Sequence, residues 1–570
     1  MCGIVGLLGA EERELVRRMA DRIAHRGPDG DGVFADAGVT LGHRRLAILD
    51  PEHGQQPMTD ASGRFTIVYN GEVYNHLKLR PELEAAGVTF ETTTDTETIL
   101  EGFRFWGPAV LEKLEGMFAF AIWDGDRREL FIARDPFGIK PFFYALPDDG
   151  HFLFASEAKA LFEHPDVEPV VNEDRIKERA ALEFLTGQGT PFRGIHQLPP
   201  GTWALLKPGD WQTGCHACAD VAWQPYYTVP AEAYGSPSEA AAAIGARFAD
   251  SVEEQLLSDV PLGVILSGGL DSAAVAAVHQ TLLSEEPIQT FTIAESEEIA
   301  DFKAARRLAE GLGTDHHESF FDFDDVWRDL ARYTYHNETI NYTEFFFMPL
   351  FEEMRKKVTV GLCGQGSDEL WGGYDRYRDP RALARERLKR LRASCPAHQE
   401  HLSVEVLQNH ASGSNLAEWD QQGQLNNFQL RLVDRNSMAA SLEVRVPFLS
   451  KPLHAASRAV PWAWKLHGPD AATAQEKWVL RKGLETLGDI GLPKDLLWRR
   501  KLPAGRATSP RVMQRFEQEA DRLLPEAARR KDPLHAAFGN AAEHLVYKLW
   551  KEVYEVRGGN WKGLELQELA

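Results

Sequence analysis

Over the first two hundred residues the apolar positions come in short bursts broken by Gly, Pro, Asn and Asp, a spacing that favours strands. Residues 65–69, 117–123, 130–133 and 152–155 read as strands, 46–49 after Arg45 is strand-like, and 11–24 and 96–106 carry helical spacing. Sheet layers flanked by helices follow from that mixture. The periodicity lapses between 208 and 238 into Pro, Gly, Cys, His and aromatic residues, which marks an interdomain passage. Beyond it the pattern alternates: helix 239–257, strand 263–266, helix 272–283, strand 288–293, helix 302–311 and a buried strand 358–362. Strands alternating with helices predict a parallel sheet covered on both faces. The remainder reads as mostly helical, with the basic stretch 381–392 expected on a solvated helix face. The expected domains are therefore 2–207 and 239–570, joined by 208–238.

Composition narrows the function more than the fold. The chain has 570 residues, 43% hydrophobic and 26% charged, which suits a globular protein of several domains. Its net charge of −22 repels phosphate backbones and anionic lipids, so neither nucleic acid nor membrane is an expected partner. No apolar run approaches the ~18 residues of a membrane span. The first residues lack the basic start of a secretory signal, and the five cysteines (Cys2, Cys215, Cys218, Cys363 and Cys395) form an odd, sparse set that fits a reducing cytoplasm. A homodimer is compatible with the sequence without being required by it.

Cys2 is the first candidate for chemistry. Removal of Met1 would leave one residue holding both a thiol and an α-amine, and an amine with a pKa of about 7.7–8.0 can take the thiol proton near neutral pH. Polar residues expected at turns could complete an acyl-transfer site. Asn70 and Gly71 offer a side-chain amide and a backbone N–H to an oxyanion. Arg45 suits a substrate carboxylate, and Glu72 and Asp95 suit an ammonium. These residues recur in larger motifs: Met1-Cys2-Gly3-Ile4, His25-Arg26-Gly27-Pro28-Asp29, Arg45-Leu46, Asn70-Gly71-Glu72-Val73-Tyr74-Asn75, Gly116-Met117-Phe118-Ala119-Phe120 and Arg134-Asp135. The first half thereby resembles the glutaminase domain of class II amidotransferases, and the second half resembles asparagine synthetase. The resemblance implies an α+β N-terminal-nucleophile sandwich (αββα) followed by an α/β parallel-sheet, ATP-pyrophosphatase-like domain with a helical C-terminal part. It also implies that Cys2 attacks the glutamine side-chain amide, that Asn70 and Gly71 form the oxyanion hole, and that Arg45, Glu72 and Asp95 hold glutamine.

The second candidate is Ser267-Gly268-Gly269-Leu270-Asp271-Ser272, a glycine-rich strand-to-helix turn whose N–H groups suit anionic oxygens. It lacks the Lys and Ser/Thr of a Walker loop and resembles instead the pyrophosphate loop of ATP pyrophosphatases. A carboxylate at Asp271 inside a phosphate site calls for a divalent cation, with Asp368 of Gly364-Gln365-Gly366-Ser367-Asp368-Glu369 as the partner ligand for Mg2+. The resemblance places Ile265, Ile293, Cys363 and Gly364 around ATP and gives Lys477 the task of neutralising charge as an acyl-adenylate forms. It likens 435–438 and 443–449 to a helical segment of the family.

Two departures concern the acceptor. Gln365 stands where family members usually carry glutamate, and 341–347, which includes Phe345, is aromatic and acidic where an arginine for aspartate is expected. The expected substrates are glutamine, ATP and a carboxylic acid. L-Aspartate leads, with a larger or more apolar acid of a specialised pathway as the alternative. A glutamine-responsive regulatory protein with an inactive synthetase domain is the reading from another class. Cys215-His216-Ala217-Cys218 has zinc-like spacing but no second ligand pair nearby.

Overall fold

In the computed structural model, which describes residues 2–210, 221–394, 399–501 and 508–569, the first half builds two six-stranded antiparallel sheets. One runs Ile195–Gln197, Phe143–Ala145, Phe152–Ala155, Gly3–Leu8, Val39–Arg45, Gly30–Asp36; the other runs Gln224–Pro225, Thr202–Leu206, Glu129–Arg134, Gly116–Asp124, Phe65–Val73, Met58–Thr59. Ile4, Leu8 and Leu41 of the first sheet meet Val68, Ala121, Trp123 and Ile132 of the second in a shared core. Helix Arg13–Arg22 covers the outside of the first sheet and Asp95–Trp106 the outside of the second. The αββα sandwich expected from the sequence is the observed architecture.

Two local expectations change. The Asn-Gly pair at 70–71 does not turn the chain: Phe65–Val73 is one continuous strand, with Asn70 opposite Ala119 and Gly71 opposite Phe118. Packing decides this, because a Cβ on Gly71 would lie 2.2 Å from the Met117 carbonyl oxygen, and only glycine permits so close a pairing. Residues 46–49, expected as a strand after Arg45, are loop, while Val39–Arg45 is the strand. The Arg45 guanidinium holds that loop by donating to the carbonyls of Leu49 (3.3 Å), Asp50 (2.7 Å) and Pro51 (2.7 Å).

The second half is a five-stranded parallel sheet in the order Asp315–Phe320, Gln289–Ala294, Leu262–Ile265, Val360–Leu362, Glu443–Arg445. The three central strands match the expected runs. The edges escaped the pattern: Asp315–Phe320 is polar and partly exposed, and Glu443–Arg445 lies in a stretch likened to a helix. Helix Leu430–Ala439 stops before it, Ser441 takes a φ of 55°, and Val444 then pairs with Gly361. Helix Pro380–Ser394 is not solvated all round, because Arg387 is 2% exposed and lies over the rings of Phe184 and Trp419.

The halves are joined by a buried ionic cluster. Arg26 donates to both oxygens of Asp434 (2.9 and 3.1 Å), to Glu157 (2.9 Å) and to the Cys2 carbonyl (3.0 Å). Arg435 reaches Glu157 at 3.0 Å and Glu338 at 2.8 Å, and Lys159 pairs with Glu157 and, at 3.2 Å, with Glu338. Burial alone would raise the Glu157 carboxyl, but His25, Lys159 and Arg435 hold it well below the usual range. Removing one partner from such a cluster strands a buried charge, a loss of about 3–5 kcal/mol. The Cys2 carbonyl is thus tied, through Arg26, to the helix Leu430–Ala439 of the other half.

Candidate active sites

Cys2 precedes the strand Gly3–Leu8 and is buried. Its backbone nitrogen donates to Asn70 Oδ1 at 3.0 Å, and its Sγ lies 3.9 Å from the Leu46 carbonyl. Burial pushes the thiol pKa up, so the sulfur needs a base to become a nucleophile. Because Asn70 spends its oxygen on Cys2, its Nδ2 is left as a buried donor with no partner among the described residues. Strand parity adds a second donor. Tyr69 N and Val73 N point away from the strand Gly116–Asp124, to Gln56 Oε1 (2.7 Å) and Asp95 Oδ2 (2.9 Å), so the N–H of Gly71, midway between them, emerges on the same edge.

Glu72 and Asp95 lie close enough to repel one another. Burial, with Asp95 adding to it, pushes Glu72 well up, and its Oε1 has no hydrogen-bond partner; Arg445 of the parallel sheet approaches Oε2 at 3.4 Å. Burial likewise raises Asp95 to about 6, although Tyr69 OH (2.7 Å) and Val73 N donate to it. Two such carboxyls suit a ligand's ammonium. Three of the five Arg45 donors are engaged on the 49–51 loop.

In the second half, the glycine-rich turn lies between the strand Leu262–Ile265 and the helix Leu270–Val278. Ser272 Oγ closes it, accepting from Ser267 N at 3.0 Å and lying 2.9 Å from Ser267 Oγ. Gly268 is at φ 76°, and a Cβ there would fall 2.0 Å from the Asp301 carbonyl. Asp271 and Asp368 converge: Lys477 Nζ is 2.6 and 2.7 Å from the two oxygens of Asp271 and 2.6 Å from Asp368 Oδ1. Lys501 Nζ is 2.5 Å from Asp368 Oδ2. Two carboxylates that already share one ammonium have the spacing to share a divalent cation, so the donor set fits magnesium.

Lys477 is 1% exposed and adopts a left-handed φ of 54° at the start of helix Trp478–Thr486, a conformation uncommon for lysine. Gly373 makes room for it, since a Cβ there would meet Asp368 Oδ1 at 1.9 Å and Lys477 Cε at 2.2 Å. The sequence does not single out Lys501; its only signal is the basic run Arg499-Arg500-Lys501. Arg499 of the same run donates to the Gly268 carbonyl at 3.2 Å and pairs with Asp301.

Ile265, Ser267, Asp271, Ser272, Ile293, Cys363 and Gly364 line a cavity of 140 Å³, and burial pushes the Cys363 thiol up to about 12, which leaves it inert. Beside it opens a cavity of 740 Å³. Gln365, Asp368, Lys501, Phe346 and Phe347 line both. Gln365 donates to Gln429 Oε1 at 3.1 Å. Phe345, expected to face the acceptor, packs instead against Tyr333 and Phe516, with ring centroids 5.1 and 5.0 Å away.

The carboxylate of Asp149 lies between His151 and His164, but His164 Nδ1 accepts from Asp166 N at 3.2 Å, so its Nε2 carries the proton given to Asp149 and is no metal ligand. Cys215, His216 and Cys218 lie outside the described residues. No helix among those residues is long and apolar enough to cross a membrane.

Two family models match in chain order: glutamine amidotransferase domain over residues 1–216 and asparagine synthase over 243–562. The chain is 33% identical over 558 residues to glutamine-hydrolyzing asparagine synthetase 3 of Bacillus subtilis, spanning 90% of this chain and 88% of that one. It is 29% identical over 569 residues to asparagine synthetase 1 of the same organism (88% and 86%), and 32% identical over 579 residues to a putative asparagine synthetase of Mycobacterium tuberculosis (88% and 85%).

Proposed function

The chain belongs to the glutamine-hydrolysing asparagine synthetase family, and from that premise we infer that it is a carbon–nitrogen ligase using glutamine and ATP to convert L-aspartate to L-asparagine, with glutamate, AMP and pyrophosphate as the other products. The observation that carries this reading is one chain holding both a buried cysteine beside an unpartnered amide donor and a glycine-rich turn facing two convergent carboxylates.

At the first site the α-amine of Cys2, freed by removal of Met1, takes the thiol proton, and the sulfur attacks the glutamine side-chain carbonyl. The oxyanion forms between Asn70 Nδ2 and the Gly71 N–H, each placed before the substrate arrives. Its collapse breaks the C–N bond, the amine returns the proton to the leaving nitrogen, and ammonia departs; water then releases glutamate from the thioester. Glu72 and Asp95 hold the α-ammonium and Arg45 the α-carboxylate.

At the second site the aspartate side-chain carboxylate attacks the α-phosphorus of ATP and expels pyrophosphate. The acyl-adenylate has a good leaving group, and ammonia displaces AMP from it. Asp271 and Asp368 would hold magnesium, which would supply charge neutralisation for the pyrophosphate. Lys477 and Lys501 bring two further positive charges to the phosphate side, and the 267–272 turn presents its N–H groups to the same oxygens. Keeping the ammonia inside the protein prevents its conversion to unreactive ammonium. Both described free cysteines are buried, in keeping with a reducing cytoplasm.

The test is AMP and asparagine formation by purified protein with MgATP, aspartate and either glutamine or ammonium chloride. Cys2→Ala should lose glutamine-driven synthesis and keep ammonia-driven synthesis. A folded variant that lost both would break the two-site mechanism.

A further inference from the structure

The segment 341–347 carries no arginine, so an acceptor amino acid needs a cation from elsewhere. Four cationic side chains line the 740 Å³ cavity: Arg179, Arg376, Arg390 and Lys501. Three are committed, since Arg376 pairs with Asp420 at 2.8 Å, Arg390 with Glu386 at 2.8 Å and Lys501 with Asp368 at 2.5 Å. Arg179 makes no ion pair among the described residues, its Nε is buried without a partner, and its guanidinium rests over Phe428, 5.0 Å from the ring centroid. It projects from helix Glu173–Leu182, on the glutaminase side of the chain, into a cavity whose other end is the adenylation site.

Glu344 lines the same cavity. Its Oε2 accepts from Asn341 Nδ2 at 2.9 Å and from Thr343, and no cation lies in contact with it among the described residues. Its carboxyl is pushed up by burial, while Arg179 attracts it only through space. Arg179 and Glu344 are half-buried opposite charges that face one cavity without touching; Glu543 and Glu183 of the same lining also attract Arg179 through space, but none pairs with it, and a zwitterion between Arg179 and Glu344 would pair both.

We propose that Arg179 and Glu344 form the α-amino-acid recognition pair of the acceptor site, with Arg179 binding the acceptor's α-carboxylate and Glu344 its α-ammonium, so that the glutaminase half supplies a substrate contact to the synthetase half. The pairing leaves the acceptor's distal carboxylate directed toward Gln365, Asp368 and Lys501. This rests on the synthetase reading above. It makes the acceptor class an α-amino acid with a second carboxyl group, and sets aside apolar monocarboxylates.

The experiment uses the full chain, ammonium chloride as nitrogen source, and acceptors that delete one group each. L-Aspartate is compared with β-alanine, which lacks the α-carboxylate, and with succinate, which lacks the α-ammonium. Loss of a charged, bidentate contact is worth roughly 30-fold in KM. The wild-type protein should therefore prefer aspartate to either analogue by about that factor. Arg179→Ala should raise the KM for aspartate and erase its advantage over β-alanine while keeping its advantage over succinate; Glu344→Gln should do the reverse, and Arg179→Lys should recover part of the loss. An aspartate KM within twofold of wild type in Arg179→Ala would overturn the assignment, as would a variant that still preferred aspartate to β-alanine by the full factor. Wild-type protein that released no AMP with aspartate would overturn the synthetase reading itself, a result separable from an active enzyme indifferent to Arg179.

Discussion

The two sites solve the problem of buried charge in opposite ways. Around Cys2, burial dominates: it raises the Cys2 thiol, the Tyr69 hydroxyl and the Glu72 and Asp95 carboxyls alike, and the one cation that reaches the two acids, Arg445 at 3.4 Å from Glu72, does not outweigh it. Around Asp368, pairing dominates: burial alone would raise it, but Lys477 and Lys501 outweigh that and hold it at about 2. The first site is therefore short of a cation, which on the proposed reading glutamine's ammonium supplies. The second is already neutral within itself, so an incoming cation must take the place of a lysine. The frameworks differ in the same sense. The oxyanion donors proposed for the first site sit on the open edge of a strand paired along its other side, whereas Asp271, Asp368 and Lys477 sit where loops turn into helices.

The widest separation between the sites should come from Asp271→Asn and Asp368→Asn. Each removes half of the carboxylate pair, and AMP formation should fall by about a thousandfold or more, the range expected when a metal's charge stabilisation is lost. Glutaminase activity, measured as glutamate release without ATP, should persist. Unaltered AMP formation would remove the magnesium assignment and, with it, the contrast between an unpaired and a paired site.

A matched pair of glycine substitutions should break one site at a time, by about a hundredfold each. In Gly71→Ala the new Cβ meets the Met117 carbonyl at 2.2 Å and shifts the strand edge that presents the oxyanion donors. In Gly373→Ala it meets Asp368 Oδ1 at 1.9 Å and Lys477 Cε at 2.2 Å. The first should lose glutamate release and keep ammonia-driven AMP formation; the second should do the opposite. Loss of both activities in either variant, with the melting temperature preserved, would mean that the sites are not separable.

These residues also show where the sequence was readable. Fully buried central strands announce themselves as apolar runs, and the motifs around Cys2, Asp271 and Asp368 are local, so a linear reading finds them. The Asn-Gly at 70–71 misleads because its turn preference is local while the pairing that overrides it comes from Ala119 and Phe118 of the strand Gly116–Asp124, far along the chain. Glu443–Arg445 is only three residues long and is set by its neighbour in the sheet. Lys501 and Arg179 carry no motif at all. Their importance lies in which cavity they reach, and that depends on the packing of segments more than a hundred residues apart.

The smallest expected effect is a pH dependence confined to one site. Asp95 has a folded-state pKa of about 6 because burial disfavours its charged form. Below that pH the unliganded site carries a proton on Asp95, and glutamine's ammonium requires the carboxylate, so binding must release that proton. The sign follows by linkage: the KM for glutamine should rise as pH falls below about 6, approaching tenfold per pH unit for one linked proton. It should level off above that range unless Glu72, also raised by burial, extends the slope upward. Asp368, held at about 2, stays ionised throughout and adds no such slope to the KM for MgATP. Glutamate release between pH 5 and 8, fitted separately for kcat and KM, reads this directly. A flat glutamine KM would show that Asp95 does not meet the ammonium, and would leave Glu72 alone to receive the cation that the first site lacks.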